Sequence, residues 1–303
     1  MLFIMSNAKK KSYFIRRLRL FLKRNYAVLI AVPVIAALYF YTLHIEPDSL
    51  RIKEYTFQHR MIPEKLDGCV IAFITDIHYN QRRAGLWEKA CNVLNNRSDL
   101  VLILQGGDII NANGKGLNIN EALKKLKKLQ NTNLLYNIPG NHEYRYRHGG
   151  IKAIQKTFQE HGLNLMQDKN TIITTPSGGK FNLIGLDFMT NPHKRIDRER
   201  TAKLFKSDML NIVFTHTPED FPYLPENAHL VLAGHTHGGQ INIPFFGSAI
   251  NPPGYPRKYS YGRIREDGKT MLVSSGLGSA YTQGRLCMKP EIVFITLKSA
   301  DKK

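Results

Sequence analysis

Five short polar blocks, each directly after a run of aliphatic residues, carry the chemistry that this sequence offers. They are Asp76-Ile77-His78, Gly106-Gly107-Asp108, Gly140-Asn141-His142-Glu143, Thr215-His216-Thr217-Pro218 and Gly234-His235-Thr236-His237. Carboxylate and imidazole ligands that converge suit divalent transition metals, with Mn, Fe and Zn all chemically plausible. A carboxylate such as Asp108 has two oxygens and can bridge two ions. One block alone would indicate only a turn, but five in order predict a metal site.

Six aliphatic runs, five of which precede these blocks, have the length and composition of buried β-strands. They are Val70–Thr75, Val101–Leu104, Leu134–Ile138, Phe181–Leu186, Ile212–Thr215 and Leu230–Ala233. Helical spacing appears between them over Leu86–Leu94, Ala122–Leu129 and Ile151–Phe158. This alternation predicts an α/β layered domain, whose strand ends form a crevice that binds ligands. After Gln240 the turn cluster Asn251–Gly254 and the strands Met271–Ser274 and Ile292–Leu297 predict a second sheet packed on the first.

The amino-terminal end of the chain differs from the rest in charge. The chain has 43 Lys and Arg residues against 24 Asp and Glu, and eight of the basic residues but no acidic residue lie within residues 1–45. The uncharged stretch Tyr26–Ile45 follows the basic run and is long enough to cross a bilayer as a helix. We expect a basic segment over residues 1–25, a membrane-anchor helix over 26–45, a linker with an edge strand over 46–68 and a catalytic domain over 69–298.

Other interpretations of this end of the chain are weaker. A signal peptide would have a shorter apolar region and small residues at a cleavage site, which Leu43-His44-Ile45-Glu46-Pro47 does not offer. Arg16-Arg17 resembles a twin-arginine signal, but Arg19 stands where that signal has an apolar residue. The formal charge of +19 would suit nucleic acid. Because the basic run lies beside an apolar helix, we expect a membrane lipid surface as partner and no nucleic acid.

Three classes of protein are excluded by the residues themselves. The three cysteines, Cys69, Cys91 and Cys287, are odd in number and lack Cys-x-x-Cys spacing, which excludes a disulfide scaffold and a thiolate zinc ribbon. A Ser-His-Asp hydrolase would need a Gly-x-Ser-x-Gly elbow after a strand, and the sequence has none there.

The blocks resemble those of the calcineurin-like metallophosphoesterases, closest to the membrane-associated bacterial branch with the YkuE and YaeI phosphohydrolases and the chlamydial-type UDP-2,3-diacylglucosamine pyrophosphatase. The resemblance extends from about Leu50 to Leu297. It includes His237-Gly238-Gly239-Gln240, Lys258-Tyr259-Ser260-Tyr261-Gly262, Ser275-Gly276-Leu277-Gly278 and Lys289-Pro290-Glu291-Ile292. It implies a two-layer β-sandwich flanked by helices, with two divalent metal ions (Mn, Fe or Zn, with Mn favoured) at the sheet ends.

The resemblance also implies roles for single residues. The implied ligands are Asp76, His78 and His237 for one ion, Asn141, His216 and His235 for the other, and Asp108 as the bridge. His142 resembles the family's catalytic histidine beside the leaving group. Asn111 departs from the pattern, because many relatives carry an acidic residue there, but that position is not a direct ligand in the family.

The expected function is a metal-dependent phosphoric ester or anhydride hydrolase acting on phosphodiester or pyrophosphate bonds. A membrane tether raises the effective concentration of a lipid-bearing phosphate, so we expect an amphiphilic substrate such as UDP-2,3-diacylglucosamine. An exported phosphodiesterase or phosphatase of phospholipid or envelope substrates is the alternative. A non-catalytic scaffold on the same fold is less favoured, because such a protein should have lost ligands. The sequence does not set the oligomeric state.

The side of the membrane that carries the catalytic domain depends on how the helix lies. Eight basic residues precede Tyr26, whereas Arg51, Lys53 and Arg60 follow Ile45. If the helix spans the bacterial cell membrane, this bias places the catalytic domain outside. A helix that lies in the interface would leave the domain in the cytosol.

Three further segments are candidate substrate contacts. Arg145 and Arg147, just after the catalytic block, would present guanidinium groups to a second phosphate. A basic cluster fits either an anionic lipid or a solvated helix face, and comprises Lys194, Arg195, Arg198, Arg200, Lys203 and Lys206. An acyl-chain groove would be lined by Ile241, Ile243, Phe245, Phe246 and Ile250. A strand packed in the core would explain the first two of these equally well.

Overall fold

The computed structural model describes residues 7–111, 119–129, 134–188, 201–243, 247–248, 256–280 and 282–300. The chain divides into two compact units, Met1–Ile45 and Glu46–Lys303. The first unit consists of helix α1 (Asn7–Phe40) and a π-helical turn over Tyr41–Ile45. Its large apolar side chains from Tyr13 to Phe40 are exposed. By length and composition this helix can cross a membrane, a property that it shares with signal sequences.

A six-stranded, mostly parallel sheet forms one layer of the second unit. Its strands are β1 (Arg51–His59), β2 (Val70–Ile74), β3 (Leu100–Gln105), β4 (Leu135–Asn137), β5 (Asn164–Leu165) and β14 (Glu291–Ser299). Their order is β1-β14-β2-β3-β4-β5, and β2 to β5 run parallel to one another. Strand β14 is antiparallel to β2 and parallel to β1, which lies at the edge.

A second six-stranded sheet forms the other layer. Its strands are β6 (Lys169–Thr174), β7 (Lys180–Gly185), β8 (Asn211–Phe214), β9 (Leu230–Ala233), β12 (Gly262–Glu266) and β13 (Lys269–Val273), in the order β12-β13-β9-β8-β7-β6. Strands β10 (Asn242–Ile243) and β11 (Gly247–Ser248) pair separately. Within the described part of this unit, helices with defined bounds are α2 (Ala84–Asn95), α3 (Ile119–Leu126), α4 (Asn141–Tyr144) and α5 (Gly150–Glu160).

Alternate side chains of the central strands pack into two different cores. One core lies between the two sheets and includes Phe73 of β2 and Phe214 of β8. Ala72, on the opposite face of β2, packs with Trp87 of α2 and Phe158 of α5. Because both faces are covered, every residue of β2 is buried, which explains its continuous aliphatic sequence. The predicted β-sandwich flanked by helices is confirmed.

The prediction that the strands after Gln240 form a second sheet is correct for Met271–Ser274 and wrong for Ile292–Leu297. Strands β12 and β13 join β6 to β9, whereas β14 lies inside the first sheet between β1 and β2. The residues Ile292 to Ile295 are buried on both faces, so β14 needs an interior position. Local pattern shows that a strand is buried but not which strands flank it. The predicted turn Asn251–Gly254 lies outside the described residues.

Candidate metal centre

Strand ends from both sheets bring the predicted site residues to one place. Their parent strands are β2 for Asp76 and His78, β3 for Asp108, β4 for Asn141 and His142, β8 for His216, and β9 for His235 and His237. Three groups of His and Asp residues have ligand atoms within 4.8 Å of one another, and these groups are Asp76/His78/His237, His78/Asp108/His142 and Asp108/His216/His235. Six of the seven predicted ligands and His142 lie in these groups, and the seventh, Asn141, joins them through its Oδ1, which is 3.1 Å from His216 Nε2. The carboxyl ends of the strands are where such sheets bind ligands.

The first group is built around one free oxygen of Asp76. Its Oδ2 accepts hydrogen bonds from the Thr75 hydroxyl (2.7 Å) and the His235 backbone N–H (2.9 Å). Its Oδ1 is buried and has no hydrogen-bond partner in the described part of the chain. That oxygen lies 3.5 Å from His237 Nε2, which in turn lies 3.2 Å from His78 Nε2. An unpartnered carboxylate oxygen facing two imidazole nitrogens fits a divalent ion.

The second group, as the term is used below, is Asp108/His216/His235 together with Asn141, and its side chains meet at His216. Its Nε2 lies 3.1 Å from Asn141 Oδ1 and 3.1 Å from His235 Nδ1. The other ring nitrogen, Nδ1, is 2.8 Å from the Gly106 carbonyl oxygen, so it carries the proton and donates. A hydrogen bond of this kind fixes the ring and leaves Nε2 with its lone pair toward the site, as in metal-binding histidines.

Asp108 connects the two groups through a single oxygen. Its Oδ1 accepts a hydrogen bond from the His142 backbone N–H at 2.8 Å. Its Oδ2 lies 3.4 Å from His216 Nε2, 3.5 Å from His78 Nε2 and 3.8 Å from His142 Nε2. The sequence analysis predicted that Asp108 can bridge two ions. In the structure Oδ2 faces both groups, and Oδ1 accepts the backbone hydrogen bond.

The protonation behaviour of the cluster suits a cation site. Burial lowers the pKa of His78 and of His235 to about 3, and it lowers the pKa of His237 well below its usual range. Neutral imidazole is the form that binds metal. At His216 burial is opposed and outweighed by the charges of Asp108 and Asp76, which raise its pKa to about 10. The carboxylates therefore favour a proton on Nε2 of His216, and a cation bound there would replace that proton.

Glu143 supports the site and was missed as a site residue. Its buried carboxylate accepts hydrogen bonds from the backbone N–H groups of Asp108 (2.8 Å), Ile109 (2.9 Å), Ile110 (3.3 Å) and Gly140 (2.8 Å). It thus fixes the loop that carries Asp108 to the start of α4. A glutamate three residues after a helix-starting glycine is a capping-box spacing, and this signal was available in the sequence.

The structure describes only some of the residues that the sequence suggested as substrate contacts. Arg145 and Arg147 are exposed, and so are Lys203 and Lys206 of the basic cluster, whose other members lie outside the described residues. Ile243 is 42% exposed, so the alternative that places it in the core is wrong. Phe245, Phe246 and Ile250 lie outside the described residues, and the groove they would form stays a prediction.

Comparison with known proteins identifies the family of the chain. A family model for calcineurin-like phosphoesterases matches residues 69–239. The uncharacterized metallophosphoesterase YkuE of Bacillus subtilis is 30% identical over 93% of this chain and 98% of its own length. The phosphodiesterase YaeI of Escherichia coli is 24% identical over 75% of this chain and 81% of its own. TT1561 of Thermus thermophilus, a solved structure, aligns with a TM-score of 0.43 and 11% identity over 69% of this chain and 89% of that one. With more than half of its length matched by the family model, the chain belongs to the calcineurin-like phosphoesterases and is a hydrolase.

Proposed function

We propose that the chain is a phosphohydrolase that holds two divalent ions, with Mn favoured, and cleaves a phosphodiester or pyrophosphate bond in a lipid-linked substrate at a membrane. The observation that carries the catalytic part is the single oxygen Asp108 Oδ2, which faces His216 on one side and His78 on the other. Two adjacent ion sites that share a carboxylate suit in-line displacement at phosphorus. The relative named as a phosphodiesterase supports the choice of a diester.

The residues of the chain have distinct tasks in this reaction. Asp76, Asp108 and the histidines would hold the ions, which when bound polarise the phosphoryl oxygens and lower the pKa of water. His142 donates a proton or hydrogen bond to the departing oxygen. Its side chain is 14% exposed, whereas those of His78 and His216 are 1% and 0% exposed. His142 can therefore reach a substrate that those two buried rings cannot.

The membrane part of the proposal is supported by helix α1. This helix is long and apolar enough to cross a bilayer, and its basic amino-terminal run suits anionic headgroups. A tethered enzyme meets lipid-linked phosphates at a high effective concentration, but it gains nothing toward soluble nucleotides. We propose UDP-2,3-diacylglucosamine, or a substrate of the same design, as the natural target.

Hydrolysis of matched substrates tests the proposal. The full chain in detergent with Mn²⁺ is assayed on UDP-2,3-diacylglucosamine and on its deacylated form, with the Asp108→Ala variant as the inactive control. We expect preference for the acylated substrate. Equal efficiency on both substrates would show that the lipid part is not recognised. Activity that survives in Asp108→Ala would show that the candidate metal centre does not carry the reaction.

An exported phosphodiesterase of phospholipid or envelope substrates is the second candidate. It is favoured by the eight basic residues before Tyr26, which place the domain outside if α1 spans the membrane. UDP-2,3-diacylglucosamine is cytosolic and requires a helix that lies in the interface instead. Protease protection in spheroplasts decides between the two, because only an external catalytic domain is degraded.

A further inference from the structure

One aromatic side chain lies at the open side of the candidate metal centre. Of the seven predicted ligands, six are buried, and His235 is the one that is partly exposed. The ring centroid of Phe188 is 6.5 Å from that of His235 and 5.9 Å from that of His216. Phe188 is itself only half-buried, so part of its surface is free for a ligand. We infer that Phe188 determines specificity by packing against the ester substituent that stays on phosphorus, and that this substituent is flat and rich in carbon.

The two ester substituents of a diester have different neighbours at this centre. His142, which donates to the departing oxygen, contacts the ring of His78 edge-on, with 4.7 Å between the ring centroids. Phe188 lies instead beside the second group, with its ring plane at 74° to that of His216. The departing oxygen is therefore assigned to His142 and the remaining substituent to Phe188. The inference rests on the proposed function and deepens it, because the remaining substituent is what distinguishes a diester from a monoester.

A second ring extends the aromatic surface. The ring centroid of Tyr144 is 5.7 Å from that of Phe188. Its hydroxyl donates to the Asp187 carboxylate at 2.7 Å and accepts from Gln167 Nε2 at 3.3 Å. Because this hydroxyl is already paired, the two rings offer a substrate aromatic carbon. Aromatic rings attract one another beyond the effect of buried area alone, so such a surface favours a flat, unsaturated group over a small alkyl group.

Hydrogen bonds hold the backbone at Phe188 in place. Its N–H donates to Asp187 Oδ1 at 2.8 Å. Besides the Tyr144 hydroxyl, the Asp187 carboxylate accepts from Gln167 Nε2 at 3.1 Å. The backbone N–H of Asp187 donates to Asp168 Oδ1 at 3.0 Å. A contact surface that is fixed before binding loses less conformational freedom when the substrate arrives, which suits a role in specificity.

Hydrolysis of two diesters with the same leaving group tests the inference. Methyl 4-nitrophenyl phosphate and phenyl 4-nitrophenyl phosphate both release 4-nitrophenolate, and they differ in the substituent that stays. The full chain in detergent with Mn²⁺ is assayed for kcat/KM on each. Phe188→Ala should lower the phenyl-to-methyl ratio of kcat/KM by about 2- to 13-fold, the equivalent of the roughly 0.5–1.5 kcal/mol of an aromatic pair. Phe188→Tyr, which keeps the ring, should retain the wild-type ratio. Phe188→Leu, which keeps an apolar side chain without a ring, provides the same test if the alanine variant does not fold.

Binding of the product monoesters gives a readout that does not depend on turnover. Phenyl phosphate and methyl phosphate are titrated by calorimetry into the Mn²⁺-loaded protein. The wild type should bind phenyl phosphate more tightly, and Phe188→Ala should reduce this preference by the same factor as in the kinetic assay. Phe205→Ala is the matched control, because Phe205 is also half-buried but packs against the core that contains Phe221. This variant should keep both wild-type ratios.

The outcomes separate a role in specificity from a structural one. Equal losses on both diesters in Phe188→Ala, with unchanged phenyl-to-methyl ratios, would overturn the inference and show that the ring only shields His216 from water. A wild type that binds phenyl and methyl phosphate equally well would also overturn it. If the wild type binds Mn²⁺ but cleaves neither diester, the proposed function itself fails, and the binding of the two monoesters still decides the role of Phe188.

Discussion

Replacing Glu143 by glutamine tests how the loop that carries Asp108 is held in place. The two side chains have the same shape, but glutamine exchanges one acceptor oxygen for an NH2 donor. In the wild type, Oε1 accepts from Ile109 and Ile110, and Oε2 accepts from Asp108 and Gly140. In either orientation the new NH2 group therefore faces two backbone N–H donors and can bond to neither.

The size of the effect follows from the hydrogen bonds that are lost. A hydrogen bond to a charged group contributes about 1.5–3 kcal/mol, so the loss of two reduces the free energy of unfolding by about 3–6 kcal/mol. At about 2–4 °C per kcal/mol for a domain of this size, we expect Tm to fall by about 6–24 °C. Burial and the charge on Asp108 raise the pKa of Glu143 to about 7, so the measurement is made at pH 8, where its carboxylate is ionised.

The assay is thermal unfolding of the full chain in detergent by circular dichroism, with the metal content of the purified protein measured alongside. Glu143→Gln should also retain less Mn²⁺, because Asp108 is no longer held toward both groups. Glu160→Gln is the matched control, since Glu160 is exposed on α5 and an exposed substitution changes stability by less than about 0.5 kcal/mol. An unchanged Tm and metal content in Glu143→Gln would refute this account of the loop.

Three further predictions address separate parts of the molecule. Asp108→Ala should reduce the bound metal from two ions per chain to none by elemental analysis, and retention of one ion would show that the carboxylate is not shared. His142→Ala should keep both ions but slow turnover by about 100-fold or more, and a normal rate would remove its assigned role. Burial lowers the pKa of His229 to about 4 from 6.5, and its Nδ1 accepts from the Asn211 N–H, so the unfolded chain binds the proton first. The contribution of His229 to stability is therefore full above pH 6.5 and is lost toward pH 4, and urea unfolding should show a weaker dependence on pH in His229→Gln. An equal dependence in both proteins would contradict this.

The positions of the predicted ligands could be predicted from sequence, because each follows a strand whose aliphatic residues indicate that it is buried. The run Val70–Thr75 predicts β2, and β2 then carries Asp76 and His78 to the sheet end without further information. The neighbours of a strand are not encoded in this way. The position of β14 between β1 and β2 depends on pairings between residues more than 200 positions apart in the chain. Local periodicity contains no information about such pairings.

Backbone conformation at the site was equally hidden from sequence reasoning. Five predicted ligands have positive φ angles, namely Asp76 (49°), His78 (39°), Asp108 (53°), His235 (68°) and His237 (51°). A non-glycine residue in this left-handed region costs at least about 1 kcal/mol, so the five together cost about 5 kcal/mol or more. Such conformations persist only where surrounding contacts hold them. Sequence reasoning assigns the left-handed region to glycine, and these positions are aspartate and histidine.

The fully buried Arg285 shows how one of these conformations is held. Its guanidinium donates to the carbonyl oxygens of Ser275 and Met288, each at 2.8 Å, and also to that of Gly278. The loop so fixed donates back, because the Gly278 N–H bonds the Asp76 carbonyl oxygen at 2.6 Å. Arg285 thus supports the strained backbone of Asp76 from behind, as Glu143 supports that of Asp108. The types of the predicted ligands could be read from the residues that follow each strand. Their geometry is held by two buried charged side chains outside the predicted ligand set, Glu143 and Arg285, each of which is hydrogen-bonded to backbone groups.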